Sequence, residues 1–412
     1  MKIMISFFLL LSSNFIFSQV QTCGTTALLK QQIERDSTIR LQQENLETFT
    51  QNWISNSSIH PRAVITIPVV VHVVWENSSE NISEEQILSQ ILVLNQDFRK
   101  SNPDFSDNVP SSFLSVAADT EIEFCLAQKD PTGQVSTGIT RTKTELSNIG
   151  GNQQIHYSNL GGKDGWPPEN YLNIWVGSIG GENGRATAPG TAANPAEDGV
   201  VIDPKAFGTT GLAANNQPFH LGRTATHEIG HYLNLQHIWG AGNGGDCSID
   251  DGVADTPRQL TWYTGCPDPQ SFTCNSKDMF MNFMDYVDDE CMGLFTLGQK
   301  ARMLATLNGP RQDLVSTDAC DSISGISAIS QRGFLVYPNP SAGPIYLQWE
   351  TTPLGQDARY ELLGIQGKIW STGALTATFL QRLTIPQVPA GLYLLRVWEQ
   401  GRSFSQKIMI QP

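Results

Sequence analysis

His227-Glu228-Ile229-Gly230-His231-Tyr232-Leu233-Asn234-Leu235-Gln236-His237 holds three of the chain's seven histidines. Residues four apart on a helix share a face, so His227 and His231 can present two imidazole nitrogens to one ion about 2 Å away. Zinc held by three protein groups keeps a position open for water, and a neighbouring carboxylate such as Glu228 can accept the water's proton during attack on a carbonyl. The spacing therefore predicts peptide hydrolysis. The third ligand, His237, would not share the face of a continuing helix. The chain must turn near Asn234, a residue type that accepts left-handed backbone. His60, His72, His156 and His220 lack such partners and read as structural.

Downstream, Asn282-Phe283-Met284-Asp285-Tyr286 resembles the methionine turn of metzincin peptidases, in which a Met lies beneath the metal and a Tyr two residues later reaches the reacting centre. From about Ile65 to Met303 the sequence resembles the pappalysin branch of that clan, especially its ulilysin-type bacterial members. The matching stretches are the zinc helix continuing into His237-Ile238-Trp239-Gly240, the segment Ala254-Asp255-Thr256-Pro257, and Asp278 to Tyr286. Most metzincins carry Gly where this chain has Asn234; ulilysin-type sequences are similar to it there.

This resemblance implies an α+β fold: a metzincin-like catalytic domain with a mixed twisted sheet, backing and active-site helices and an irregular C-terminal subdomain. It implies zinc on His227, His231 and His237, Glu228 as general base, Tyr286 stabilising the oxyanion, and Met284 shaping the floor beneath the metal. The stretch after His237 is acidic, with Asp246, Asp250, Asp251, Asp255, Asp285, Asp288, Asp289 and Glu290. Loops dense in carboxylates suit calcium, and the resemblance implies Asp251 and Thr256 as its ligands.

The chain has 412 residues, 40% of them apolar, enough for two or three globular domains. A net charge of -14 excludes a basic nucleic-acid-binding face and favours cationic substrates or simple solubility. Met1-Lys2 followed by apolar Ile3 to Leu11 and Phe15 to Phe17 reads as a signal peptide over 1–18. No later stretch is long enough for a transmembrane segment. Export puts the seven cysteines in an oxidising compartment, and their odd number leaves one over.

That one is Cys23, whose thiolate could fill zinc's open position in a latent form. It resembles the cysteine switch of ulilysin-like proenzymes. Residues 19–62 read as its propeptide, Gln-rich with a helical flavour, with a cut expected after Arg62. Four cysteines crowd residues 247–291 and allow three pairings. The family resemblance implies Cys247 with Cys274 and Cys266 with Cys291, and leaves Cys125 and Cys320 open.

The catalytic domain is expected over 63–322. Ile65 to Trp75 reads as a buried strand. Ser83-Glu84-Glu85-Gln86 reads as a capping box opening a helix whose face carries Ile87, Ile91, Leu94 and Phe98. Further strands are expected around Ile122 to Leu126, Tyr171 to Val176 and Gly199 to Asp203. Gly184 to Gly190 reads as an exposed edge strand to which an extended substrate could add, or else as a surface loop.

A linker over 323–332 precedes a small β-sandwich over 333–412. The latter resembles the C-terminal sorting domain of the type IX secretion system of Bacteroidetes bacteria. It implies delivery by that machinery to the exterior or the cell surface. The whole reads as a secreted zinc endopeptidase acting on proteins or peptides, made as a zymogen, with a preference for Lys or Arg at the scissile bond. The competing reading is a surface-sorted, non-catalytic adhesion protein that keeps the fold.

Overall fold

The computed structural model describes residues 21–57, 64–242, 244–315, 317–320, 334–337, 339, 341, 344–349, 358–364, 367–376, 380–385, 388–399 and 402–411. The signal segment 1–18, His60, Arg62 with its expected cut, and the linker 323–332 lie outside them.

An N-terminal segment comprises β1 (Gln21–Cys23), α1 (Thr25–Arg35) and α2 (Thr38–Asn56). Next comes β2 (Ile65–Trp75), almost continuously apolar and β-branched, as a strand covered on both faces requires. Its imidazole, His72, is satisfied by Thr140 Oγ1 at 2.8 Å and Asn173 Oδ1 at 2.9 Å. Burial pushes its pKa down to about 4, so it stays neutral in the core.

The chain continues through α3 (Glu84–Phe98), the single turn α4 (Phe105–Asn108), β3 (Ile122–Leu126), β4 (Ile139–Lys143), β5 (Leu172–Val176), β6 (Glu182–Ala186) and β7 (Val200–Ile202). These strands form a seven-stranded sheet in the order β1-β6-β7-β5-β2-β3, with β4 also on β2. Parallel pairs prevail, and β6 alone runs antiparallel to its neighbour β7. The sheet is therefore mixed.

Two details depart from the sequence reading. Ser83 caps α3 by accepting from Gln86 N at 3.1 Å, but the Gln86 side chain does not return to complete a box. Its Nε2 instead donates to Pro204 O and Phe207 O, each at 2.8 Å, because α3 is buried against that loop. The edge strand is not exposed either: β6 starts at Glu182, ends at Ala186, and is covered by β1.

Helices α3 and α5 (Arg223–Tyr232) join the sheet in one core, where Ile87, Leu94 and Phe98 meet Ala225, Ile229 and Tyr232. Every residue of α5 is buried. Beyond it the chain is irregular, with a small hairpin of β8 (Phe272–Thr273) and β9 (Ser276–Lys277), until α6 (Leu297–Leu307). The acidic loops mostly satisfy their own backbone. Asp289 Oδ2 accepts from Leu221 N at 2.8 Å and Asp255 Oδ2 from Gly298 N at 2.9 Å, while Asp285 Oδ1 accepts from Tyr263 N at 2.9 Å and Tyr286 N at 2.7 Å. Buried amides left without acceptors would destabilise such loops.

Three disulfides staple this domain: Cys247–Cys274 and Cys266–Cys291 in the irregular part, and Cys125–Cys320 from β3 to the domain's end. The C-terminal part has β10 (Phe334–Tyr337), β11 (Ile345–Trp349), β12 (Arg359–Gly364), β13 (Ile369–Ala374), β14 (Leu380–Leu383), β15 (Gly391–Glu399) and β16 (Arg402–Ile410). They make antiparallel sheets of three and four strands around a separate core that includes Ile345, Leu347, Leu362, Leu395, Val397 and Ile408. This is a small sandwich.

Candidate metal centre

Helix α5 carries His227 and His231 on one face, and its C-terminus brings in the third imidazole. Asn234 takes a left-handed φ of 72°. Leu235 N then reaches back to Gly230 O at 2.9 Å and Asn234 N to His231 O at 3.0 Å. This is a Schellman ending, with Asn at the position Gly usually fills. The same turn aims Leu235 O at His231 Nδ1, 2.8 Å away.

The three side chains meet. His231 Nε2 lies 3.1 Å from His227 Nε2 and 3.0 Å from His237 Nε2. His227 Nδ1 is 2.7 Å from Phe283 O, so the protons of His227 and His231 belong on Nδ1 and their Nε2 lone pairs face inward. Burial pushes all three imidazoles towards the neutral form, His231 to about 4 and the others well below their ordinary value. Neutral lone pairs converging at 3 Å repel unless a cation sits between them. Ligands about 2.0–2.1 Å from a tetrahedral zinc are a little over 3 Å apart, so the geometry fits that ion.

Cys23 completes the set. Its Sγ lies with the three imidazole nitrogens in one group whose ligand atoms are all within 4.8 Å of one another. β1 delivers it by pairing parallel with β6, Gln21 opposite Glu182 and Cys23 opposite Gly184. At Gly24 a Cβ would press on the Glu182 carboxylate, which would have to move aside.

Thr25 follows at once. Its hydroxyl donates to Glu228 Oε2 at 2.7 Å and accepts from Ala186 N at 2.8 Å. Burial pushes the Glu228 carboxyl up to about 8, and the Thr25 hydrogen bond works against that rise. Farther along the segment, Glu47 on α2 holds Arg302 of α6 through two bonds of 2.9 and 2.7 Å, and Asn234 Nδ2 donates to Thr50 Oγ1 at 3.2 Å.

Met284 lies under the helix between His227 and His231: a Cβ placed on Gly230 would stand 2.5 Å from Met284 Sδ. Its turn is fixed by Asn282, whose Oδ1 accepts from Met284 N at 3.0 Å and whose amide pairs with Gln299. The Tyr286 ring sits 4.9 Å from His237 and 5.6 Å from His227. Burial, and then the neighbouring Cys23 and Glu228, push its hydroxyl pKa far up, so it remains a donor. Asp251 is buried; Thr256 Oγ1 donates to its Oδ1 at 2.7 Å, and its Oδ2 has no hydrogen-bond partner among the described residues. Sequence reasoning missed Thr25 and Arg302, which act across long separations and belong to no motif, and Gln299, whose capping box with Thr296 at the start of α6 was a readable signal.

Residues 157–308 match the family model described as pregnancy-associated plasma protein-A, and residues 335–411 match that of the secretion system C-terminal sorting domain. A promirolysin mutant from Tannerella forsythia is 43% identical with a TM-score of 0.64, covering 72% of this chain and 97% of that one. Mature mirolysin from Tannerella forsythia in complex with a cleaved peptide is 46% identical with a TM-score of 0.58, over 62% and 97%.

The chain belongs to the pappalysin family.

An extracellular metalloprotease of Verticillium alfalfae is 28% identical over 61% of this chain and 78% of its own length. As a pappalysin with a sorting tail, the protein is a metalloendopeptidase made as a zymogen, exported to the exterior or the cell surface, and membership implies zinc. The adhesion alternative falls with that. No helix among the described residues is long and apolar enough to cross a membrane.

Proposed function

We propose that this pappalysin holds zinc through His227, His231 and His237, and that Glu228 and Tyr286 carry out the proton and charge chemistry of peptide hydrolysis. The observation that carries the reading is the convergence of three neutral imidazole lone pairs beside a buried carboxylate. Zinc would supply Lewis-acid polarisation of a scissile carbonyl and acidify water. Glu228, once released from Thr25, takes a proton from the attacking water and returns it to the leaving amine. Tyr286, kept protonated by burial, donates to the oxygen that gains charge. Met284 supports the ligand helix from below and binds nothing itself.

Residues 19–62 act as the propeptide, and Cys23 is the metal's fourth ligand while the enzyme is latent. The segment occupies three things a substrate needs: the β6 edge, the general base and the ligand position. Removal after Arg62 would free all of them, leaving β6 to take an extended substrate as an added strand. The signal peptide at 1–18, the catalytic domain at 63–322 and the sorting domain at 333–412, delivered by type IX machinery, complete the organisation.

A preference for Lys or Arg next to the scissile bond is supported by the solvent-accessible carboxylates that follow the Met284 turn, Asp288 and Glu290. Calcium on Asp251 and Thr256 is supported by their adjacency and by the unshared Asp251 Oδ2, a group that burial pushes up to about 7.

Glu228→Ala tests the mechanism. The variant is expected to retain zinc and fold while proteolysis falls by orders of magnitude; unchanged turnover, or cleavage that survives a chelator, would overturn the reading.

A further inference from the structure

Two of the three imidazoles at the metal centre are held by the fold itself. His227 Nδ1 meets Phe283 O and His231 Nδ1 meets Leu235 O, both backbone carbonyls of the catalytic domain. His237 differs. Its Nδ1 faces Thr26 Oγ1 at 3.5 Å, a weak contact to a residue of the N-terminal segment. When that segment leaves, the contact leaves too.

Another device orients the ring. His237 and Trp239 stack with centroids 4.4 Å apart and planes 7° from parallel. Residues two apart diverge on a helix and stand about 6–7 Å apart along a strand, but here a turn brings them together: Gly240 N donates to His237 O at 2.8 Å, and Gly240 takes a left-handed φ of 81°. The indole is anchored in turn, its Nε1 donating to Gly242 O at 3.3 Å and its ring buried. The same ring meets Tyr286 edge-on, with centroids 4.8 Å apart at 73°.

We propose that Trp239 is the positioning residue for His237 and Tyr286, replacing by stacking the backbone acceptor that the other two ligands possess. This rests on the reading of His237 as a metal ligand. Without the ring, His237 is free to rotate about its side-chain bonds in the processed enzyme, and its nitrogen reaches the ion in fewer of its orientations. In the precursor, Thr26 and Cys23 remain, so the loss is smaller there.

The test compares Trp239→Leu, Trp239→Phe and wild type, each as intact precursor and as processed enzyme. Zinc affinity is read by chelator competition and ligand geometry by the visible spectrum of the cobalt(II)-substituted proteins. Loss of an outer partner of a metal-bound histidine costs about 10–100-fold in affinity, and that loss is expected for processed Trp239→Leu, with a smaller loss in its precursor. Trp239→Phe, which keeps a stacking face, is expected to restore most of the affinity and the wild-type cobalt spectrum. Should Trp239→Leu fail to fold, Trp239→Met, whose longer unbranched chain adapts to the space without a ring, takes its place.

A loss below about tenfold in the processed ringless variant, equal losses in precursor and processed enzyme, or a Phe variant no better than Leu would each overturn the proposal. His237→Ala separates the two levels. If it too leaves zinc affinity unchanged, the ligand assignment fails; if it abolishes binding while Trp239→Leu does not, only the role of Trp239 fails.

Discussion

Thr25→Val removes one oxygen and keeps the side chain's shape, and it should open the precursor. That oxygen makes two hydrogen bonds, to Glu228 Oε2 at 2.7 Å and from Ala186 N at 2.8 Å, and Thr25 is only 6% exposed. Valine leaves a carboxyl oxygen and an amide facing carbon in a closed site. Stranding a buried polar group costs about 1–3 kcal/mol, so two at the low end give about 2–3 kcal/mol against the docked segment. At 1.4 kcal/mol per factor of ten, that is about a 30- to 150-fold rise in undocking. Cys23 provides the readout, since the other six cysteines are in disulfides and its thiol is buried by the docked segment. Labelling of the intact precursor by a thiol reagent then follows the undocked population. Thr48→Val is the control, because Thr48 is exposed on α2 and its hydroxyl only donates to Glu44 O. A labelling rate for Thr25→Val no faster than that control would refute the idea that Thr25 locks the base independently of the cysteine.

Acid should loosen the same segment through Glu47. Burial lifts its carboxyl, but the hydrogen bonds and charge of Arg302 outweigh this and leave it below its ordinary value of 4.5. A docked pKa below the free one stabilises docking above that value, and the contribution is lost as pH falls through the docked pKa. Protection factors of α2 amides, corrected for the intrinsic pH dependence of exchange, are expected to fall below pH 4.5 more in wild type than in Glu47→Gln, and identical acid profiles would discard the ion pair as a latch. Gly230→Ala drives a Cβ to 2.5 Å from Met284 Sδ. Overpacking costs about 1–3 kcal/mol, and the gain in helix propensity returns up to about 1, so a net loss of about 1–2 is expected in urea unfolding. Met284→Ala should cost less stability in the Gly230→Ala background than in wild type, and a Gly230→Ala protein as stable as wild type would contradict the close packing.

What could be read from the chain was what is local. The four-residue spacing of His227 and His231 fixes a helical face, and an eleven-residue run from Ile65 to Trp75 dense in Val and Ile fixes a buried strand. Asn234 was legible because a third imidazole six residues on forces a turn and few residue types can make one. The remainder depends on partners far along the chain. β1 is three residues long and finds β6 about 160 positions later, a pairing for which periodicity offers no signal. Gln86 matched the capping-box pattern, yet tertiary carbonyls at Pro204 and Phe207 competed for its amide. Acidic residues in loops look alike in sequence whether they face water, a cation or their own backbone. Asp255, Asp285 and Asp289 turn out to cap amides, and the charge pattern alone has no means of distinguishing that.

Latency and catalysis draw on one geometry, and the direction of β1 explains how the segment can sit in the cleft without being cut. In the parallel register with β6, Cys23 stands opposite Gly184 and Gly24 N donates to Gly184 O at 2.8 Å. The group presented to the three imidazoles is a side-chain sulfur. Two residues on, the Thr25 hydroxyl engages one carboxylate oxygen of Glu228. A bound peptide is cleaved only if it offers both a carbonyl at the ligand position and a free base beside it, and this segment denies each requirement with a different side chain. Replacing Cys23 alone should accordingly leave the base engaged in most molecules, and replacing Thr25 alone should leave the fourth ligand in place in all but the enlarged undocked minority that the thiol reagent reads. Full release of activity without removal of the segment then requires both changes, and their effects on undocking should exceed a simple sum if the two side chains hold the same three-residue turn.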